Sequence, residues 1–81
     1  MNEQRFQFIS VLDNLKELLE RQIELVQQGN INEVGSLSKQ TASLVAKIAQ
    51  TGLLKLPEFK DRREQLRKLY GSLRLTLAAQ R

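Results

Sequence analysis

The sequence contains neither cysteine nor histidine. Without cysteine, disulfide bonds and thiolate metal sites are excluded. Without histidine, the commonest general base and the commonest metal ligand are both missing. Four glycines, one proline, three phenylalanines and one tyrosine make up the turn-forming and aromatic residues. This composition is unlike that of a β-sandwich or a disordered tail, and it leaves few aromatic rings for stacking against nucleic-acid bases.

Long apolar runs are also missing. No run approaches the roughly 20 residues of a membrane-spanning helix. The segment from Met1 to Phe6 has no basic start followed by an apolar block, so we expect no signal peptide and a cytoplasmic location. The 81 residues suffice for one domain, 1–81. A domain this small buries only about 60 % of its unfolded surface, so a partner or a second copy would add stability.

The spacing of apolar residues predicts three helices, near 3–28, 31–51 and 58–80. The first helix has a wide apolar face, with Gln22 as the one polar member of its central stripe. A wide face suits a helix that contacts two neighbours. We therefore predict an all-α fold, an antiparallel three-helix bundle with long helices. We also expect self-association, because the wide face and the uncapped third helix leave apolar surface to be covered.

Two glycines mark the predicted helix ends. Gly29 and Gly52 follow the first and second helices, where glycine readily takes the left-handed conformation. Asn30 is predicted to cap the second helix, with Glu33 three residues later as its capping-box partner. Pro57 fits the first turn of the third helix. The stripes of the three helices predict this core: Phe8, Leu12, Leu15, Leu19, Ile23, Val26, Val34, Leu37, Leu44, Val45, Ile48, Phe59, Leu66, Tyr70, Leu73 and Leu77.

The acidic residues give no sign of catalysis. Glu17, Glu20 and Glu24 share one face of the first helix, away from the apolar stripe and interleaved with Lys16 and Arg21. This pattern is typical of a solvated surface rather than a metal site. The sequence has no glycine-rich phosphate loop and no nucleophile-elbow motif. We expect no enzymatic activity, no cofactor and no metal.

Basic residues concentrate in the third helix. Residues 57–81 hold seven basic and three acidic side chains. Asp61 and Glu64 interrupt the basic cluster, and Glu64 is predicted to pair with Lys60 and Lys68 at four-residue spacing. A salt-bridged solvated face is one interpretation. Binding to nucleic-acid phosphates and attraction to an acidic protein partner are the others. The basic cluster consists of Lys60, Arg62, Arg63, Arg67, Lys68 and Arg74.

Leu75 lies nearly opposite the apolar stripe of the third helix, either as an isolated exposed leucine or as a contact point for a further helix. The helix also lacks a stop signal, so we expect its end to be free to engage another helix. The basic surroundings would steer an acidic amphipathic partner. The predicted partner-binding residues are Leu69, Leu73, Leu75 and Leu77, with Arg67 and Arg74 at the rim.

Three stretches resemble the FlgN-like flagellar export chaperones. Residues 12–21 (LDNLKELLER) look like the leucine- and glutamate-rich opening helix of that family. Residues 25–34 (LVQQGNINEV) look like its glycine-centred turn, and residues 67–80 (RKLYGSLRLTLAAQ) look like its third long helix. The resemblance implies a chaperone that keeps a hook–filament junction protein soluble before secretion. The amphipathic helical terminus of that substrate would lie in a groove between chaperone helices.

Three classes of function remain open at this point. The first is a protein-binding chaperone or adaptor that takes up an amphipathic helix. The second is a structural helical assembly module that buries its apolar surface in a homo-oligomer. The third, with the least support, is a basic nucleic-acid-binding bundle.

Overall fold

A computed structural model of the protein describes residues 2–79, with side-chain environments from Phe6 onward. It contains helices α1 (Asn2–Gln27), α2 (Ile31–Thr51) and α3 (Lys60–Ala79), with 3-10 turns at Leu53–Lys55 and Pro57–Phe59 between α2 and α3. No strand occurs among these residues. The predicted all-α helical bundle is confirmed.

Helix α1 is the central element of the bundle. Both α2 and α3 pack along it, whereas α2 and α3 contact each other little. The connection after α1 is short, so α2 runs antiparallel to α1. Helix α3 runs in the same direction as α1, because Phe8 near the start of α1 meets Phe59 just before α3, with ring centroids 5.0 Å apart in an edge-to-face arrangement. The wide apolar face of α1 therefore serves two neighbours.

The turn after α1 is a Schellman motif. Gly29 has φ +83°, and its N–H donates to the Val26 carbonyl at 3.0 Å. The Asn30 N–H donates to the Leu25 carbonyl at 2.8 Å. The predicted left-handed glycine is therefore confirmed. Glycine is favoured here because a side chain at this φ would collide with its own backbone.

The predicted capping box at Asn30 and Glu33 is wrong. Asn30 has φ −87° and ψ 65° and makes no side-chain cap hydrogen bond to α2. An N-cap side chain reaches the first-turn N–H groups from an extended backbone, which the Schellman turn does not provide here. The Asn30 amide instead donates to Oε1 of Gln28 at 3.4 Å.

The second connection also begins at a glycine in the left-handed region, Gly52, with φ 68°. The Thr51 hydroxyl supports it by donating to the Ile48 carbonyl at 2.7 Å and accepting from the Leu53 N–H at 3.2 Å. Pro57 opens a 3-10 turn, so α3 itself begins at Lys60. The predicted start at residue 58 was two residues early, because the proline turn precedes α3 as a separate 3-10 turn.

The core lies along α1. The buried apolar side chains are Phe8, Leu12, Leu15, Leu19, Leu25, Val26, Val34, Ile48, Phe59, Leu66 and Leu73. Ile23, Leu37, Leu44 and Tyr70 pack against this core half-buried. Two predicted core residues are misplaced, since Val45 and Leu77 are 38 % and 39 % exposed. One residue left out of the prediction, Leu25, is only 1 % exposed.

Candidate protein-binding surface

A buried polar pair fixes α2 against α1. The Gln22 side-chain amide donates to the Thr41 hydroxyl at 2.7 Å, and that hydroxyl donates to the Leu37 carbonyl at 2.9 Å. Gln22 is 2 % exposed and Thr41 is 5 % exposed. Both groups are neutral and both are satisfied, so the pair stabilises one register of the two helices without presenting a reactive group.

The predicted partner-binding residues of α3 do not form one surface. Leu73 is buried in the core and Leu69 is half-buried against it, whereas Leu75 is 72 % exposed and Leu77 is 39 % exposed. Leu75 and Leu77 are two positions apart, so their side chains point roughly 160° away from each other. One partner helix cannot contact both of them, and the set must be divided between two sides of α3.

The orientation of α2 follows from the residues that it places beside α1. Gln40, Leu44 and Lys47 line grooves that α2 forms with α1. The buried residues Thr41 and Ile48 form the centre of the inward face of α2. The flank on the other side of that centre points away from these grooves. That flank consists of Ser38, Ala42, Val45 and Ala49, all of which are exposed.

The orientation of α3 follows in the same way. Arg62 contacts the side of α1 that points away from α2, where its Nη1 lies 2.8 Å from Oδ1 of Asp13. The opposite flank of α3, across the buried Leu66 and Leu73, is therefore turned toward the α2 side of the molecule. That flank consists of Arg63, Arg67, Tyr70, Arg74 and Leu77.

These two flanks border the same side of the bundle. We call it the α2–α3 face and define it by Ser38, Ala42, Val45, Ala49, Arg63, Arg67, Tyr70, Arg74 and Leu77. Because α2 and α3 contact each other little, apolar side chains that would be covered in a closed bundle remain exposed here. Arg67 and Arg74 of the predicted site belong to this face, and Leu75 does not.

The sequence contained a signal for the α2 half of this face. Ala42 and Ala49 lie seven residues apart, on the same flank of α2 as Val45. Small side chains seven residues apart lie on one side of a helix and leave room for a further helix beside it. The prediction of Val45 as a core residue places this flank in the interior of the bundle, which the 38 % exposure of Val45 contradicts.

Two grooves lie on the other side of α2, against α1. One has a volume of about 450 Å³ and includes Phe8 and Val11 opposite Ile48. The other has a volume of about 500 Å³ and includes Leu18 opposite Leu44. Their charged residues are one lysine and one glutamate, Lys47 and Glu17. These grooves therefore carry no charge pattern that would select a partner.

The ion pairs differ from the sequence expectation. In the part of the chain that the structure describes, Glu64 forms no ion pair with Lys60 or Lys68. Exposed pairs at this spacing gain little, because water screens the attraction and both long side chains lose freedom. On α1, Arg21 Nη1 and Glu24 Oε2 are 3.4 Å apart on the exposed acidic face. Among residues 6–79, no group of three acidic side chains is arranged to hold a metal ion.

Among the described residues, Tyr70 is the titratable group whose environment clearly shifts its pKa. Partial burial beside the core raises the pKa of its phenol above the ordinary value of 10.0, because the charged phenolate loses hydration. The neutral phenol therefore lines the α2–α3 face at physiological pH. It offers one hydroxyl beside the arginines and an apolar ring beside the core.

None of the helices within residues 2–79 has the length and apolar character needed to cross a bilayer. Comparison of the chain with protein-family models, with curated proteins and with solved structures finds no match. The FlgN-like resemblance therefore rests on the three sequence stretches that carry it.

Proposed function

We propose that this protein is a binding module that holds an amphipathic helix of another protein. The observation that carries the proposal is the α2–α3 face, where Val45 and Leu77 stay exposed between two helices that hardly touch. A helix laid along this face would cover both side chains, which is the usual way in which an amphipathic helix is recognised.

The more specific proposal is a flagellar type III export chaperone that works in the cytoplasm and keeps a hook–filament junction protein soluble until it is secreted. The FlgN-like stretches support this reading. A small helical bundle with an uncovered apolar face between two helices is also a suitable shape for holding an amphipathic helical terminus.

Binding of that terminus tests the proposal. We expect a synthetic peptide of the helical terminus of the hook–filament junction protein from the same genome to bind in isothermal titration calorimetry. Apolar burial should give a negative heat-capacity change. The control peptide has the same composition, with its leucines moved off the apolar stripe. Equal binding of both peptides, or binding of neither, would contradict the chaperone function.

The aligned arginines favour one competing function, nucleic-acid binding. Phosphate contacts release counterions, so the affinity for a nucleic acid would fall steeply with salt. A gel shift with duplex DNA and single-stranded RNA at low and moderate salt separates the two functions. We expect no specific shift at moderate salt, where a helical peptide still binds through its apolar face.

A structural assembly module is the second competing function. Such a module would cover its own apolar surface in a stable homo-oligomer, leaving the α2–α3 face closed to a peptide. Sedimentation equilibrium with and without the terminal peptide decides between them. For a chaperone we expect any self-association to be lost when the peptide binds, because the two compete for the same apolar surface.

A further inference from the structure

The arginine side of the α2–α3 face has a defined geometry. Arg63, Arg67 and Arg74 follow one another at four- and seven-residue spacing, so they form a row along α3. None of the three makes an ion pair with a described residue. Three guanidinium groups in a row, none of them paired with a described carboxylate, favour carboxylates on whatever covers this face.

The α2 side of the face is small and uncharged. Ser38, Ala42 and Ala49 lie along it, with Val45 between the two alanines. Small side chains let the backbone of a further helix approach closely, and Val45 gives that helix an apolar contact at the middle of the face. The face therefore offers one apolar, low-relief wall and one basic wall.

We infer that the α2–α3 face binds an acidic amphipathic helix of another protein, with its apolar stripe on Val45, Ala42 and Leu77 and its carboxylates on Arg63, Arg67 and Arg74. This inference rests on the proposed function and adds the location of the site and the charge of the partner. From Ala49 to Ile31, α2 extends about 27 Å, so roughly 18 residues of the partner helix are in reach. The bound helix completes a four-helix arrangement.

A second copy of this chain does not fit the face. The acidic helix of the protein is α1, but its apolar stripe is already buried, with Leu15 at 2 % and Leu19 at 0 % exposure. Leu77, the exposed apolar residue that α3 contributes to the face, shares its flank with Arg67 and Arg74, and the net charge of the chain is +4. Two copies would therefore bring like charges together.

The probe for the test is a synthetic helix of roughly 18 residues, with leucines at three- and four-residue spacing and glutamates elsewhere. A matched peptide carries lysines in place of the glutamates. Fluorescence anisotropy measures Kd for each. We expect the glutamate peptide to bind at least about tenfold more tightly at low salt, with the difference shrinking as salt rises. Equal affinities would overturn the inferred charge of the partner.

Two pairs of variants locate the site. Arg67→Glu/Arg74→Glu reverses two charges on the face, and Lys39→Glu/Lys68→Glu reverses two charges on exposed surface elsewhere. Each double variant brings the net charge of +4 to zero. We expect the arginine variant to lose about tenfold or more in affinity for the glutamate peptide. The lysine variant should lose only the small part that depends on overall charge.

The second pair probes the apolar wall. Ala42 and Ser36 are both small, exposed residues of α2, but only Ala42 lies on the α2–α3 face, since their side chains point roughly 120° apart. Ala42→Glu should weaken binding about tenfold or more, and Ser36→Glu and Leu75→Glu should bind as the parent does. Circular dichroism confirms that every variant is folded.

Failure of the inference differs from failure of the proposed function. If the junction-protein peptide binds but Ala42→Glu and Arg67→Glu/Arg74→Glu bind it as the parent does, the α2–α3 face is wrong and the function stands. If the glutamate peptide binds through the face and the junction-protein peptide does not bind, the site stands and the chaperone function is wrong.

Discussion

Breaking the buried pair between Gln22 and Thr41 should destabilise the protein by an amount that depends on which of the two side chains is replaced. Thr41→Val keeps the shape of the side chain and removes the hydroxyl that accepts from the Gln22 amide at 2.7 Å. Because Gln22 is 2 % exposed, water cannot replace the lost acceptor. A buried donor without a partner costs about 1–3 kcal/mol, and we expect Thr41→Val to lower the free energy of unfolding by that amount.

Replacing the other partner, Gln22, should lower the free energy of unfolding by less. Gln22→Met keeps the length of the side chain and removes its polar end. The Thr41 hydroxyl still donates to the Leu37 carbonyl at 2.9 Å, so its hydrogen stays satisfied. We expect a loss below about 1 kcal/mol, because methionine fills irregular apolar space well. In the double variant neither polar group remains, and the stability should return to about that of the parent or exceed it.

Urea unfolding followed by far-UV circular dichroism measures the three variants and the parent. The double-mutant cycle should give a coupling energy of about 1–3 kcal/mol between the two positions. For a domain of this size, that is a large fraction of the total stability. Additivity of the two single substitutions within about 0.3 kcal/mol, or a double variant as unstable as Thr41→Val, would refute the argument that the unsatisfied amide causes the loss.

Three further predictions concern stability and ionisation. Leu15→Ala should lower the melting temperature and reduce the free energy of unfolding by about 2–5 kcal/mol, because Leu15 is buried. Leu44→Ala should reduce it by less, because Leu44 is half-buried. Equal reductions for the two variants would contradict the placement of the core. Gly71→Ala should stabilise α3 by roughly 1 kcal/mol, since an added Cβ meets nothing within 4 Å, whereas Gly29→Ala should destabilise by about 1–2 kcal/mol at φ +83°; urea unfolding checks both signs. Tyr70 is the only tyrosine, so absorbance follows it alone, and its pKa should lie above 10.0 in the folded protein and at the ordinary value in urea. The folded state then gains stability from the neutral phenol below pH 10 and loses it as the pH rises through the folded pKa, a loss that Tyr70→Phe should remove.

The helices and the left-handed glycines were predictable because they depend on local physics. Three- and four-residue spacing marks the helices wherever one face is buried. Gly29 and Gly52 stand where the spacing breaks, and both have positive φ. The cap at Asn30 failed for the same local reason, since the Schellman turn at Gly29 fixes the Asn30 backbone outside the conformation that a cap needs. Sequence preference for a cap residue does not show which of two adjacent turn motifs controls its backbone.

Burial at the edges of the stripes was not predictable from single helices. Leu25 lies at the edge of the α1 stripe and is buried, while Val45 and Leu77 belong to stripes and are exposed. Which of these edge positions is covered depends on how far α2 and α3 spread apart on α1. That spacing is a property of the packed bundle. Assuming a closed bundle therefore placed Val45 and Leu77 in the core and hid the surface that they form.

The long-range polar and aromatic contacts explain why the α2–α3 face stays open. Gln22 and Thr41 hold α2 on one side of α1. The contact between Arg62 and Asp13 lies on the other side of α1, where α3 packs, and the edge-to-face pair of Phe8 with Phe59 secures the start of α3.

Within residues 2–79, no hydrogen bond or ion pair joins α2 directly to α3. Each helix is thus held mainly by α1, and a bound helix that contacts both would add a third interface. Because such a partner binds the folded bundle and not the unfolded chain, occupancy of the α2–α3 face must raise the apparent stability of the protein as the partner concentration rises above Kd.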